Sequence, residues 1–241
     1  MRLLAIETSA AACSVAAWDA GAPPGARLRG YRRLDLGGRG HAEALLPMVR
    51  DALDRAGWRF ADLDALAVNR GPGGFTGIRI GVAAARGLAL AAGLPVVGVT
   101  GLEALAAAAA PAPGAAVLAA LDARRGQVYA QTFDAGLEPS GEPRALPPAE
   151  AALGLPRPLL LVGSGAASVR SCLPEDDPAR IGDATLDAAA VAARAAARLA
   201  AGDVSPGAGF DLTPLYLRPP DARPQTPVVG PSGGAAFSLG A

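Results

Sequence analysis

The sequence predicts an α/β chain built from two copies of one unit, and three observations lead there. Short apolar runs alternate with Ala- and Leu-rich helical patterns along most of the 241 residues. AIETSAAACSVAAWDAG near the start is matched later by ALDARRGQVYAQTFDAG. Each is an apolar strand, an acid, a small or polar turn, a second strand and Asp-Ala-Gly. The acid stands 12 residues before the aspartate of that triplet in both copies, Glu7 to Asp19 and Asp122 to Asp134.

The elements follow in order. LLAI (3–6) and CSVAAW (13–18) read as a hairpin around ETSAAA. A loop rich in Gly, Pro and Arg comes next. Residues 42–56 carry Leu45, Leu46, Val49, Leu53 and Ala56 on one helical face. Pro47 has no N–H to donate, so it must sit in the first turn or bend this helix. LDALAVN (63–69) is a short buried strand leading into the loop GPGGFTG. Residues 78–92 are helical, ended by Gly93 with Pro95 just beyond. LPVVGV (94–99) is a strand, and TGLEALAAAA starts another helix. AAAAAPAPGAA (106–116) is the linker, after which the unit begins again. LLLVGSGAA mirrors LAVNRGPGG as a strand entering a glycine loop. Residues 185–201 form an Ala/Arg helix, and LTPLYLR (212–218) a last strand or extended segment. The expected organisation is an N-terminal lobe over 1–106, a C-terminal lobe over 107–218, and a disordered tail over 219–241.

Composition removes several chemistries. The 22 bases balance the 22 acids, and every base is Arg. Without Lys there is no P-loop lysine and no Schiff-base lysine. A neutral chain is a poor candidate to hold nucleic acid alone, because non-specific affinity comes from neutralising phosphates. Cys13 and Cys172 stand far apart, with neither a disulfide framework nor a zinc pattern. No signal peptide or membrane span is read, so the expected location is cytoplasmic.

GPGGFTGIRIG (71–81) poses a choice between a phosphate cradle and close packing. It fails the Walker pattern, since Pro72 stands where the first glycine is needed and no Lys follows. It fails the dinucleotide pattern at Thr76. Gly77, Gly81 and Ala85 recur at i, i+4 and i+8, beside Ala84 and Leu88. Such a stripe of small residues lets another helix approach, either inside the same domain or from another chain. His41, the sole histidine, has no ligand partners at metal spacing. Ser164 fails the nucleophile-elbow pattern because Val162 stands two before it. The turns ETS (Glu7, Thr8, Ser9) and DARRG (Asp122, Arg124), with GSG (Gly163, Gly165), are where a duplicated α/β chain would hold a nucleotide between its lobes.

IETSAAACSVAAW, HAEALLPMV, LAVNRGPGGFTGIRIGVAAARGLALAAGLPVVGVTGLEAL, LDARRGQVY, LVGSGA and LYLR occur in that order. Together they resemble the TsaB (YeaZ) family, the dimerisation subunit of the bacterial tRNA threonylcarbamoyladenosine machinery, over roughly residues 1–218. The resemblance implies an actin-like ATPase (ASKHA) fold of two lobes with mixed sheets flanked by helices. It implies a non-catalytic scaffold or activator that pairs with a TsaD-type transferase acting on the tRNA adenosine next to the anticodon. In that catalytic relative, histidines follow the strand that ends here at Val99. This chain has Thr100, Gly101 and Leu102 there. The implied partners are the TsaD-type paralogue, a TsaE-type ATPase and a second copy of the chain, with tRNA reached through the complex and no membrane. The implied pairing surface is Leu45, Leu46, Val49, Gly77, Ile80, Gly81, Ala84, Ala85 and Leu88. No cofactor or metal is required by this reading; ATP or ADP with Mg would use a residual cleft at Glu7, Thr8, Ser9, Asp122, Arg124, Gly163 and Gly165. The alternative is a stand-alone actin-like ATPase or small-molecule kinase, or a peptidase.

Overall fold

The computed structural model describes residues 1–202 and 212–218. The tail expected over 219–241 lies outside the described residues.

Among the described residues ten strands form two five-stranded sheets. The first contains β1 (Arg2–Glu7), β2 (Ala12–Asp19), β3 (Leu28–Asp35), β4 (Ala65–Asn69) and β5 (Val96–Val99). The second contains β6 (Ala116–Arg124), β7 (Gln127–Phe133), β8 (Arg144–Leu146), β9 (Leu159–Val162) and β10 (Arg180–Ile181). Their orders are β3-β2-β1-β4-β5 and β10-β9-β6-β7-β8. Written from the antiparallel edge, these are the same order. In each sheet a hairpin is flanked by a third antiparallel strand on one side and two parallel strands on the other. The duplication read from the paired hairpins is therefore a duplication of sheet topology.

Three helices follow the first sheet's strands: α1 (His41–Ala56), α2 (Phe75–Ala92) and α3 (Gly101–Ala108). Leu45, Met48, Val49, Ala52 and Leu53 recur at helical spacing on α1 and are buried. They meet Ile78, Val82 and Ala85 of α2 and the strand side chains Leu4, Ile6, Leu66 and Val68 in one core. Gly57 ends α1 in the left-handed region, its N–H donating to the carbonyls of Asp54 and Leu53. Pro47 lies beyond the first turn, and the helix runs through it. The buried face of Leu45, Met48 and Val49 offsets a penalty of about 3 kcal/mol for an interior proline. Among the described residues α2 is the one helix long and apolar enough to cross a membrane by length and composition. Its inner side is packed against β4.

The second lobe carries two short helices, α4 (Pro148–Ala151) and α5 (Ala166–Arg170), and then α6 (Ala188–Ala200). α6 belongs to the second half of the chain yet packs on the other face of the first sheet, with Val191 and Ala195 against Ala5, Ala16 and Ala67. Alanines on both sides allow that close approach. Tyr31 of β3 donates its hydroxyl to Asp187 at 2.8 Å, and Asp187 caps α6 by accepting from Ala190 N–H. α3 packs on α6 and also on the second sheet, placing Leu102 and Leu105 against Val117, Phe133 and Val162. Arg194 of α6 pairs with Glu103 of α3 at 3.6 Å.

Two sequence expectations change, and of the two readings of LTPLYLR the strand is excluded. The Gly/Pro/Arg loop after the first hairpin contains β3, an eight-residue edge strand. LTPLYLR makes no ladder; it runs along the loop before α2, with Leu215 N–H donating to Arg70 O and Leu212 inserted in the first core. The 106–116 linker begins inside the last turn of α3.

Candidate functional site

The GPGGFTG loop lies on the turn between β1 and β2. Gly74 N–H donates to Ser9 O at 2.8 Å, and Thr8 Oγ1 donates to Gly77 O at 2.7 Å. A Cβ on Gly73 would lie 2.7 Å from that of Ser9. A Cβ on Gly77 would overlap the Thr8 carbonyl, and one on Gly81 the Thr8 hydroxyl. The glycines therefore serve backbone contact inside one lobe.

This corrects part of the expected pairing surface. Gly77 and Gly81 face the Thr8 turn, and Ala85 is 0% exposed. Leu45 and Val49 point into the first core as well. Leu46 is 56% exposed, while Ile80, Ala84 and Leu88 are half-buried at the rim of that core. Beside them Pro47, Ala83, Gly87 and Leu90 also face outward, the last 72% exposed. Ile80, Ala84 and Leu88 share i, i+4 spacing, as do Ala83 and Gly87.

Glu7 is fully buried and belongs to the turn. Its Oε1 accepts from Ser9 N–H at 2.6 Å, Ser9 Oγ at 2.8 Å and Ala10 N–H at 3.1 Å. Its Oε2 accepts from Asn69 Nδ2. Asn69 also accepts from Gly71 N–H at 2.9 Å, so one side chain at the end of β4 ties the acid to the glycine loop. Burial pushes the Glu7 carboxyl above its ordinary value, against the pull of these hydrogen bonds. Nothing in the sequence marked Asn69; only its position after a buried strand, before the glycines, hinted at it.

The second lobe repeats the device. Gly165 N–H donates to Ala120 O at 2.9 Å, and a Cβ on Gly163 would overlap that same carbonyl. Asp122 N–H donates to Ser164 Oγ at 3.0 Å, and Arg124 N–H to Asp122 Oδ1 at 2.7 Å. Arg124 and Arg125 both take the left-handed backbone at φ 60° and 54°, before Gly126.

Between the lobes is a cleft of about 1120 Å³. Thr8, Ser9, Asp122, Arg124 and Gly163 line it. Glu7 and Gly165 do not: one is spent inside its turn, the other packs on β6. The starts of α1 and α2 line it too. Among the described residues no three His, Cys, Asp or Glu side chains gather as a metal-binding group.

Known proteins match this arrangement. The family model described as "TsaD: tRNA N6-adenosine threonylcarbamoyltransferase" matches residues 35–159. The Escherichia coli (strain K12) tRNA threonylcarbamoyladenosine biosynthesis protein TsaB is 48% identical over 130 residues, which is 54% of this chain and 53% of that protein. The match thus spans about half the length of that curated relative. The solved structure of YeaZ from Pseudomonas aeruginosa superposes with a TM-score of 0.73 at 32% identity, covering 90% of this chain and 99% of that one. The fold alone is shared with the activator of 2-hydroxyisocaproyl-CoA dehydratase from Clostridium difficile, at TM-score 0.52 and 9% identity over 85% of this chain and 98% of that one. This places the two lobes in the actin-like ATPase (ASKHA) fold. Identity over 130 residues and agreement across almost the whole of a solved relative lead to one statement: the chain belongs to the TsaB (YeaZ) family.

Proposed function

We propose that this chain is a non-catalytic activating subunit of the cytoplasmic machinery that makes threonylcarbamoyladenosine in tRNA, and that it pairs with a TsaD-type transferase. The carrying observation is the outward apolar face of α1 and α2, with Leu46 and Leu90 exposed and Ile80 and Leu88 at its edge. The inner sides of both helices are fixed to the first sheet, so this face is presented without an ordering cost. A pairing interface of roughly 1,600 Å² in total is enough for a stable complex when its centre is apolar. The same face suits a second copy of the chain in isolation, and the two pairings would compete.

The Glu7 carboxylate supports the non-catalytic part of this reading. An acid that is to position a metal or a water needs free lone pairs facing the cleft. Here three donors inside the turn and a fourth, Asn69 Nδ2 from the end of β4, occupy it. A TsaE-type ATPase would supply nucleotide turnover, and tRNA would be reached through the transferase. The test is co-purification with a TsaD-type partner, with ATP hydrolysis measured on the isolated chain. Pairing without hydrolysis supports the proposal. Hydrolysis by the isolated chain would instead favour an ATPase or kinase working in the interlobe cleft.

A further inference from the structure

Residues 212–218 run from the first core to the second lobe, and their two ends are held unequally. At the near end Leu212 is 3% exposed and inserted in the first core. Its carbonyl accepts from Arg86 of α2 at 3.0 Å, and Leu215 N–H donates to Arg70 O at 2.7 Å. Backbone lies on backbone here: a Cβ on Gly71 would stand 2.5 Å from Leu215 O. At the far end the contacts are made by side chains at the surface. Tyr216 packs its ring on Phe75, the first residue of α2, with centroids 4.9 Å apart. The exposed Arg79 lays its guanidinium 3.8 Å over the Phe75 ring and donates through Nε to the Tyr216 hydroxyl at 3.1 Å. Arg218 then reaches the second lobe, donating to Gln127 Oε1 of β7 at 3.4 Å. Leu215, Tyr216, Leu217 and Arg218 line the cleft.

We propose that residues 212–218 are a latch between the lobes, hinged at Leu212 and seated on α2 by Tyr216, and that lifting its tip loosens the second lobe against the first. This goes beyond the pairing function and does not rest on it. The buried end opens only with the core. Cation–π, ring and hydrogen-bond contacts at the surface are weak one by one, because water competes for them. A segment held in this way opens locally from its weak end while the rest stays folded. α3 and α6 also join the lobes, through packed helix faces that allow small sliding movements. The latch adds a tie along the cleft wall, so seating or lifting it selects a held cleft or a looser one.

The spread of lobe-to-lobe distances tests this. The whole chain is spin-labelled at its exposed native Cys172 in the second lobe and at Arg29→Cys on the exposed edge of β3, while the buried Cys13 stays unlabelled. Dilution with unlabelled chain confines the reading to spins within one copy. Pulsed double electron resonance then compares the parent with Tyr216→Ala and Arg79→Ala, which break the same clamp from opposite sides. Both are expected to broaden the distance distribution by about twofold with the far-ultraviolet circular dichroism unchanged. Leu153→Ala, an exposed site away from the latch, is expected to keep the parent width. A parent width in either clamp variant, or equal broadening in Leu153→Ala, overturns the proposal.

Discussion

The Thr8 hydroxyl donates to the carbonyl of Gly77 at 2.7 Å, and the Thr8 carbonyl occupies the space a Gly77 side chain would need. The β1–β2 turn and α2 are thereby fused, and the glycines of α2 are internal spacers. Gly77→Ala is expected to cost about 1–3 kcal/mol in urea denaturation, the usual range for overpacking. Gly81→Leu, beside the Thr8 hydroxyl, is expected to cost more and to lower the yield of folded protein. A Gly81→Leu chain with native stability would show that Thr8 moves aside freely.

Variants on the outer side should behave in the opposite way. A Cβ on Gly87 meets nothing within 4 Å, and Leu46 and Leu90 are exposed. Gly87→Arg, Leu46→Asp and Leu90→Glu are expected to leave stability within about 0.5 kcal/mol of the parent. They are expected to weaken pairing by tenfold or more, about 1.4 kcal/mol, because each buries a charge in an apolar contact. Light scattering after gel filtration, alone and with a TsaD-type partner, reads the outcome. Unchanged pairing in all three would move the interface elsewhere.

The two thiols should separate cleanly. Cys13 is 0% exposed, and burial, with the Glu7 charge behind it, pushes its thiol up to about 11. Cys172 is exposed. At pH 8 a disulfide reagent should modify Cys172 alone in the folded protein, and both thiols once it is denatured. Modification of both without denaturant would mean that the first sheet opens.

Glu7 gives a pH signature with a definite sign. Burial raises its folded value above the ordinary 4.5. Its contribution to stability is then fully present below the unfolded value and is lost as pH rises through the folded one. Glu7→Gln does not titrate. The stability of the parent minus that of Glu7→Gln should therefore fall as pH climbs from below 4.5. Denaturation of both chains at several pH values measures this. A flat difference would mean that the acid titrates alike in the folded and unfolded states.

Much of this was legible in the sequence because the pattern repeats. Paired hairpins with equal spacing, each answered by a strand entering a glycine loop, pointed to a duplicated α/β unit, and the two sheets share one strand order. β3 was hidden because it is an edge strand: arginines cover it, and its one buried residue is Gly30, set against the Ala52 carbonyl of α1. Spacing shows that residues share a helical face but not which way that face looks, so for Gly77, Gly81 and Ala85 the sequence left open packing inside the domain or against another chain; the structure sets them inside. Glu7 was expected at a nucleotide cleft, but its carboxylate is held by its own turn and by Asn69, 62 residues away in sequence. No local pattern joins the two.

The crossing of α6 has a bearing on how this chain can be dissected. Cut at the 106–116 linker, the first fragment would keep its sheet and both outer helices but leave the alanine face of β1, β2 and β4 open to water. The second fragment would carry α6 as a helix with an apolar flank and nowhere to lay it. Neither piece is a self-sufficient module. Mixed together they should reassemble by fragment complementation, with α6 as the bolt that closes them.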